Sequence, residues 1–307
     1  MEHILFAAAL FAGSLLPIQA GANAQLSRAV QSPFGATALQ LGVGALLLMV
    51  AAAVSGSIVA IARLADVPWW HAVGGLASAF YVVSTILLFP RLGAVVSVGL
   101  FITGQVLAST TLDLTGLLGV PRREATPAGL WGTIAVLGGA ALLVAGQVNA
   151  RAESSGRSLG WIVLALAAGA VLPVQGAVNA LLARELRAPL VVGTVSFVVA
   201  AMSMGLVILA LTRGPLAPRL QLSGLKTMPW WGWLGGFAGA TYVTTVFTAI
   251  PVIGAAAVVS LTVAGQQLAS VLVDRFGWFR LPRRPVSALR LAGVGMLLAG
   301  TGAMKLL

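Results

Sequence analysis

The fold is decided by an eight-residue stretch that occurs twice in the chain. It reads LPIQAGAN at residues 16–23 and returns as LPVQGAVN at residues 172–179, an offset of 156 positions. The match continues past this motif through three further pairs of identical residues, Leu26/Leu182, Arg28/Arg184 and Pro33/Pro189. The chain is therefore an internal duplication, and each copy is one unit of the fold.

A second matching block follows at an offset of 161 positions, so the second copy carries five extra residues. These fit the polar stretch at residues 213–229. The block pairs PWW at 68–70 with 229–231, GG at 74–75 with 235–236, and PRR at 121–123 with 282–284. Single residues also match in order, namely Tyr81/Tyr242, Pro90/Pro251, Gln105/Gln266, Ser109/Ser270 and Asp113/Asp274.

The composition predicts a protein whose solvent is lipid. Of the 307 residues, 59% are hydrophobic and only 8% are charged, whereas soluble domains carry roughly 25% charged residues. Mean hydropathy is +1.01. The net charge of +11 would suggest a nucleic-acid partner in a soluble protein. Here Lys and Arg stand in short gaps between apolar runs, so we expect no nucleic acid and a lipid bilayer as partner.

Ten continuous apolar runs predict ten transmembrane helices, because an open strand cannot satisfy its backbone groups in hydrocarbon. Pro90 and Pro251 each divide a longer apolar stretch into two, because a proline ends or kinks a helix. The first run ends like a signal-peptidase site, but the same pattern recurs in mid-chain, so we retain it as a helix. The runs cover residues 4–27, 35–62, 69–89, 92–112, 128–149, 159–183, 190–211, 230–250, 253–273 and 288–307.

The repeat divides the chain into a first five-helix copy at residues 1–150, a polar linker at 151–158 and a second copy at 159–307. Five crossings are an odd number, so consecutive copies enter the membrane from opposite faces and form an inverted repeat. One face would hold both termini and six of the 18 Lys and Arg residues, and the other face twelve. The positive-inside rule then places both termini outside.

The repeated Pro-x-Gln-x3-Asn motif carries the first candidate site. Gln19 and Asn23, like Gln175 and Asn179, are four residues apart and share one helix face. Each pair follows a proline that interrupts backbone hydrogen bonding. These four amides are predicted to line a central cavity and bind substrate. The alternative is that they form interhelical hydrogen bonds that hold the bundle together.

The second candidate site is a stripe of three polar residues at spacing four. It consists of Gln105, Ser109 and Asp113 in the first copy, and of Gln266, Ser270 and Asp274 in the second. The glutamines and serines are candidate substrate ligands, and the two carboxylates could couple transport to protons. Alternatively, each carboxylate sits at a helix end and pairs with a nearby arginine, as Asp274 would with Arg275.

Tyr81 and Tyr242 are the only tyrosines, and they occupy the same position in each copy. They are predicted either to line the cavity or to pack in the bundle. Catalytic chemistry is not expected: the chain has no Cys and two His, no nucleotide-binding P-loop and no cluster of metal ligands. We therefore expect no enzyme activity, no metal and no cofactor.

Together these motifs resemble the YdcZ-type family of the drug/metabolite transporter superfamily, in two fused copies that span nearly the whole chain. The resemblance implies an all-α, ten-helix, EamA-like transporter fold in a bacterial inner membrane. It also implies a cavity lined by helices one, three and four of each copy. Related small multidrug exporters carry a membrane Glu on helix one. Here Gln19 and Asn23 stand instead, which favours a neutral, zwitterionic or anionic solute.

The sequence therefore predicts a secondary transporter, an exporter of a small polar metabolite or drug by alternating access. Protons are a candidate coupling ion through Asp113 and Asp274. The alternative is a membrane scaffold or assembly partner that transports nothing, in which the polar pairs only join helices. A water-accessible cavity at the midplane would favour the transporter, and a filled bundle would favour the scaffold.

Overall fold

The computed structural model describes residues 2–92, 94–145, 159–211, 221–280, 283 and 287–305, and all regular structure in these ranges is helical. Ten α-helices follow one another: α1 Glu2–Val30, α2 Pro33–Val54, α3 Gly75–Leu92, α4 Ala94–Thr115, α5 Pro127–Ala145, α6 Leu159–Leu186, α7 Pro189–Leu211, α8 Leu234–Ile253, α9 Ala255–Phe276 and α10 Ala288–Lys305. Each predicted apolar run thus overlaps one of these α-helices. The predicted linker at 151–158 lies outside the described residues.

Eight of these helices are long and apolar enough to cross a membrane, judged by length and composition. The other two, α5 and α10, contain shorter apolar stretches, Pro127–Leu142 and Leu291–Gly300. The expectation of an all-helical membrane protein is thereby confirmed.

Short 3-10 helices precede the third helix of each copy, and they correct the predicted end of the second helix. We expected an apolar helix through residue 62, but α2 ends at Val54 and a 3-10 segment covers Ser57–Asp66. The chain turns at Gly56, whose φ of 71° ends the α-helical path. In the second copy, Leu222–Thr227 and Trp230–Trp233 are 3-10 helices in the corresponding region.

The two long apolar stretches divide next to Pro90 and Pro251, as the sequence predicted, and each helix ends two residues beyond its proline. The third helix continues past Pro90 to Leu92, and Pro251 lies inside α8. In the second copy the chain leaves the helix at Gly254, which has φ 87° and ψ 155°. That conformation is readily open only to glycine, so the glycine and not the proline fixes the corner between α8 and α9.

Each copy packs mainly against the other copy rather than against itself. The first helix of each copy contacts the third and fourth helices of the other: α1 packs on α8 and α9, and α6 packs on α3 and α4. Each second helix packs on its counterpart, α2 on α7, and each fifth helix likewise, α5 on α10. The two copies therefore interlock about an approximate two-fold relation.

Two glycine pairs allow two of these crossings to be close. A Cβ at Gly13 of α1 would overlap the backbone carbonyl of Thr262, and one at Gly265 of α9 would overlap that of Leu10. The equivalent crossing of α6 and α4 has the same arrangement, in which Gly169 meets the carbonyl of Phe101 and Gly104 that of Leu166. Helices in lipid associate by such close backbone packing, since no hydrophobic force drives them together.

Candidate functional site

The polar motif of the second copy forms a hydrogen-bonded network between three helices. Gln175 of α6 donates from Nε2 to the hydroxyl of Ser78 at 2.8 Å, and this hydroxyl lies 3.1 Å from Gln175 Oε1. The Nε2 atom is also 3.3 Å from Ser196 Oγ of α7. Asn179 donates from Nδ2 to the same Ser196 hydroxyl at 3.1 Å. The network thus joins α3 of the first copy to α6 and α7 of the second.

This network is closed to solvent. Gln175, Asn179 and Ser196 are each at least 95% buried. Asn179 lies against Gly74, where any Cβ would overlap its side-chain oxygen. In hydrocarbon such polar groups need partners, and these amides find them in the bundle, as the interhelical-bonding alternative predicted.

The equivalent positions of the first copy are filled differently. At the offsets of the repeat, Ser196 corresponds to Gln40 and Ser78 corresponds to Gly239. The Gln40 side chain packs against Gly235 of α8, and the Gln19 amide lies against Gly239 one turn further along. Asn23 Oδ1 and Gln40 Oε1 are buried atoms that accept no hydrogen bond within the described structure.

The two tyrosines lie at the contact between the copies. Tyr81 of α3 and Tyr242 of α8 are close enough to interact electrostatically. Tyr81 packs edge-on to Phe101 of α4 with ring centroids 5.2 Å apart, and the Tyr242 hydroxyl interacts with Thr262 of α9. Both side chains are half-buried.

The stripe residues Gln105 and Ser109 and their counterparts in the second copy are buried or half-buried. Gln105 is 6% exposed and Ser109 is fully buried, with its hydroxyl donating to the Val106 carbonyl of the same helix. Ser270 donates likewise to the carbonyl of Gln267, while Gln266 is half-buried. Both serines thus bond within their own helices.

Asp113, in the last turn of α4, holds the start of α9 in the other copy. Its two carboxylate oxygens accept from the backbone N–H groups of Ala255 at 2.7 Å and Ala256 at 2.8 Å. A carboxylate is stabilised here by the partial positive charge of the helix N-terminus. Proton coupling through Asp113 stays a prediction, and both oxygens already carry structural bonds.

Arg123 completes this contact between the copies, and sequence reasoning missed its role. Its backbone N–H donates to the Asp113 carbonyl at 2.7 Å, its guanidinium donates to the Val252 carbonyl at 3.1 Å, and it attracts the Asp113 carboxylate. The arginine near Asp113 is therefore ten positions along the chain, not adjacent to it. Asp274 is half-buried in the last turn of α9.

A cavity of about 60 Å³ lies beside this contact. Asp113 is the only predicted site residue among those that line it, and neither copy of the Pro-x-Gln-x3-Asn motif borders it. Its polar lining comprises Thr110, Asp113, Arg123, Glu124, Thr126 and Thr133. Within the described ranges, no three His, Asp or Glu side chains group as metal ligands.

Two hydrogen-bond partners of the motif, Ser78 and Ser196, were also missed from the sequence. A signal for Ser196 was present: it aligns with the polar Gln40 at the offset of 156 residues. No comparable signal marked Ser78, because its counterpart is Gly239.

The apolar helices and the polar side chains at the contact between two related copies define a multi-pass membrane protein. The family model described as "Putative inner membrane exporter, YdcZ" matches residues 4–142 and again residues 160–302. The chain belongs to this family as two fused copies, and it is a multi-pass protein of the bacterial inner membrane.

A protein of known crystal structure shares this fold. It superposes with a TM-score of 0.65 over 99% of this chain and 96% of its own, at 18% sequence identity. Likeness at this identity shows the fold alone. No curated protein matches the chain significantly.

Proposed function

We propose that the protein is a secondary transporter that exports a small polar solute across the inner membrane by alternating access. Its ten helices form two inverted five-helix units, and both termini lie outside. Membership of an exporter family supports transport in general. The reciprocal packing of the two copies supports the inverted arrangement, because the first helix of each copy contacts the third and fourth helices of the other.

One observation carries this proposal: the hydrogen bond between Ser78 of the first copy and Gln175 of the second. The repeated motif lies where the copies meet, so a relative movement of the copies must open or close it. In an inverted repeat the two motifs then serve opposite faces of the membrane. This is the arrangement that alternating access requires.

The proposed substrate-contacting groups are the two amide pairs Gln19/Asn23 and Gln175/Asn179, with Tyr81 and Tyr242 between them. Gln105, Ser109, Gln266 and Ser270 belong to the same proposed site, and Asp113 and Asp274 are the candidate proton carriers. We propose no catalytic step and no cofactor.

Transport is tested with purified protein in liposomes without ATP, by mass spectrometry of solutes retained from a defined metabolite mixture. We expect Asn23→Ala and Gln175→Ala to slow the flux of the retained solute at least tenfold, while the exposed amide variant Gln221→Ala transports normally. If both motif variants transport at the wild-type rate, the site assignment is wrong. If liposomes with the wild-type protein retain every solute to the same extent as empty liposomes, the scaffold interpretation replaces transport.

The inverted arrangement is tested by labelling from one side of the membrane. The chain has no native Cys, so Ser55→Cys and Ser223→Cys each introduce a single thiol at an exposed position of corresponding loops. An impermeant maleimide applied to intact spheroplasts should modify one variant and reach the other only after permeabilisation. Equal labelling from the same side would show parallel copies and refute alternating access by inverted units.

The scaffold alternative has one observation in its favour. The second copy's amides have hydrogen-bond partners and lie at least 95% buried, as interhelical contacts would be. The wild-type liposome assay separates the two proposals, because a scaffold transports nothing. Gln175→Ala then tests the site, because a purely structural amide would change stability without changing the transport rate per folded molecule.

A further inference from the structure

The two copies differ in how their buried amides are satisfied. In the second copy the hydroxyls of Ser78 and Ser196 pair with Gln175 and Asn179. In the first copy the corresponding positions are Gly239 and Gln40, and neither provides a hydroxyl. The first motif therefore lacks both of the groups that complete the second.

Two buried oxygen acceptors of the first copy have no hydrogen-bond donor in the described structure. Gln40 is 5% exposed, and its Oε1 atom is buried without a partner in the described structure. The same holds for the Oδ1 atom of Asn23 on the neighbouring helix α1. A buried acceptor without a donor is costly, and a protein keeps one where a ligand supplies the partner.

We propose that Asn23 and Gln40, where α1 and α2 meet α8, form a binding subsite for a neutral hydrogen-bond donor group of the solute, such as a primary amide or a hydroxyl. This inference rests on the proposed transport function. It adds the chemical class of the group that the first copy recognises.

The charges on the helices around the subsite are the reason for proposing a neutral solute group. Helices α2 and α8 contain no charged residue, and those of α1 are Glu2, at its outer end, and the exposed Arg28. A buried cation would have no countercharge here, which is costly in a membrane. An anion would face two carbonyl oxygens and be repelled. A neutral N–H or O–H group satisfies both acceptors without either penalty.

Glycines of α8 shape the subsite and allow a direct test. A Cβ at Gly239 would stand 2.9 Å from Gln19 Nε2, and this is the free end of a flexible side chain. The Gly239→Ser variant can therefore be accommodated if Gln19 moves slightly. It would place a hydroxyl beside Gln19, as Ser78 stands beside Gln175. Combined with Gln40→Ser, it reproduces the second network in the first copy.

The test measures binding of two probes to the purified full-length protein by thermal unfolding followed through Trp fluorescence. Acetamide has a donor N–H₂ group, and N,N-dimethylacetamide keeps the carbonyl but has no N–H. We expect acetamide to raise the melting temperature of the wild type more than its dimethyl analogue does. This difference should disappear in Gly239→Ser/Gln40→Ser and remain in the control Gly42→Ser, where the added atom meets open space.

A second variant, Gln40→Met, has a side chain of similar length to pack on Gly235 but lacks the amide oxygen acceptor. It replaces the double variant if that variant does not fold. Loss of the acetamide effect in either variant supports the subsite. Equal effects of both probes on the wild type, or an unchanged effect in a folded variant, overturn it. The liposome assay is a separate test. If the acetamide effect is lost in the variants as expected but the liposomes transport no solute, the transport proposal fails and the subsite stands.

Discussion

The contact between Asp113 and the start of α9 makes a quantitative prediction for the substitution Asp113→Asn. The carboxylate gives one oxygen to the N–H of Ala255 and the other to that of Ala256, at 2.7 and 2.8 Å. An Asn side chain has one acceptor oxygen. Its amide N–H₂ would face the second backbone N–H, so one bond is lost and two donors are brought together.

The size of the effect follows from these contacts. A hydrogen bond to a charged group contributes about 1.5–3 kcal/mol, and a negative charge at a helix N-terminus contributes about 0.3–1 kcal/mol. Asn removes one bond and the charge, and it weakens the remaining bond. Because a cavity lies beside Asp113, water can replace part of the loss. We therefore expect the free energy of unfolding to fall by about 2–4 kcal/mol.

The assay is reversible unfolding in mixed detergent micelles, followed through intrinsic Trp fluorescence. Glu124→Gln is the matched control, since this exposed acid lines the same cavity but forms no hydrogen bond in the described structure. It removes the same charge without removing a backbone contact. If Asp113→Asn stays within about 0.5 kcal/mol of the wild type, or if Glu124→Gln is equally destabilised, the carboxylate does not hold the two copies together.

Two further predictions concern the helix contacts. Gly13→Ala should lower the free energy of unfolding by about 1–3 kcal/mol, because its Cβ would overlap the carbonyl of Thr262. The control Gly42→Ala, where the methyl meets open space, should match the wild type. Equal stability of both variants in the same unfolding assay would contradict the close crossing. Ser196→Ala removes a hydrogen-bond partner from two amides and should lower the free energy of unfolding by about 1–3 kcal/mol. The control Ser223→Ala, at an exposed position, should leave it unchanged. If the two variants have the same thermal unfolding curve, the network does not stabilise the bundle.

The helical architecture could be predicted from the sequence because lipid leaves the backbone few choices. Every N–H and C=O group must be paired within its own segment, so continuous apolar runs such as 190–211 predict helices with good boundaries; the seventh helix is Pro189–Leu211. The prediction was wrong where local geometry decides, as at Val54. There the apolar character continues into residues 57–62, but a glycine with positive φ turns the chain.

The role of Asp113 could not be predicted in the same way. Its partners are backbone N–H groups 142 and 143 positions away, and every residue except proline has such a group. The sequence showed only that a carboxylate stands at a helix end, which suits proton coupling and ion pairing equally. Tertiary contact alone decides which helix start comes to that carboxylate.

The polar site was partly predictable because the repeat itself marks it. The motif residues Gln175 and Asn179 do lie between the copies, but the partner Ser78 became visible only in three dimensions. The equivalence of Ser196 and Gln40 is an observation on sequence alone, and it identifies both once the motif is known. Polar positions that fall at the same offset as a motif are therefore worth testing in any duplicated membrane protein.

The difference between the copies also has an energetic consequence for the proposed transport. If the copies form an inverted pair, identical copies would give the two facing states equal free energy, and sequence differences between the copies would set their ratio. Four side-chain contacts hold the second motif, while Asn23 Oδ1 and Gln40 Oε1 of the first copy lack partners in the described structure. Each difference of about 1.4 kcal/mol changes the ratio tenfold. A solute that supplied the missing donors would stabilise closure of the first copy, so binding itself would drive the change of face.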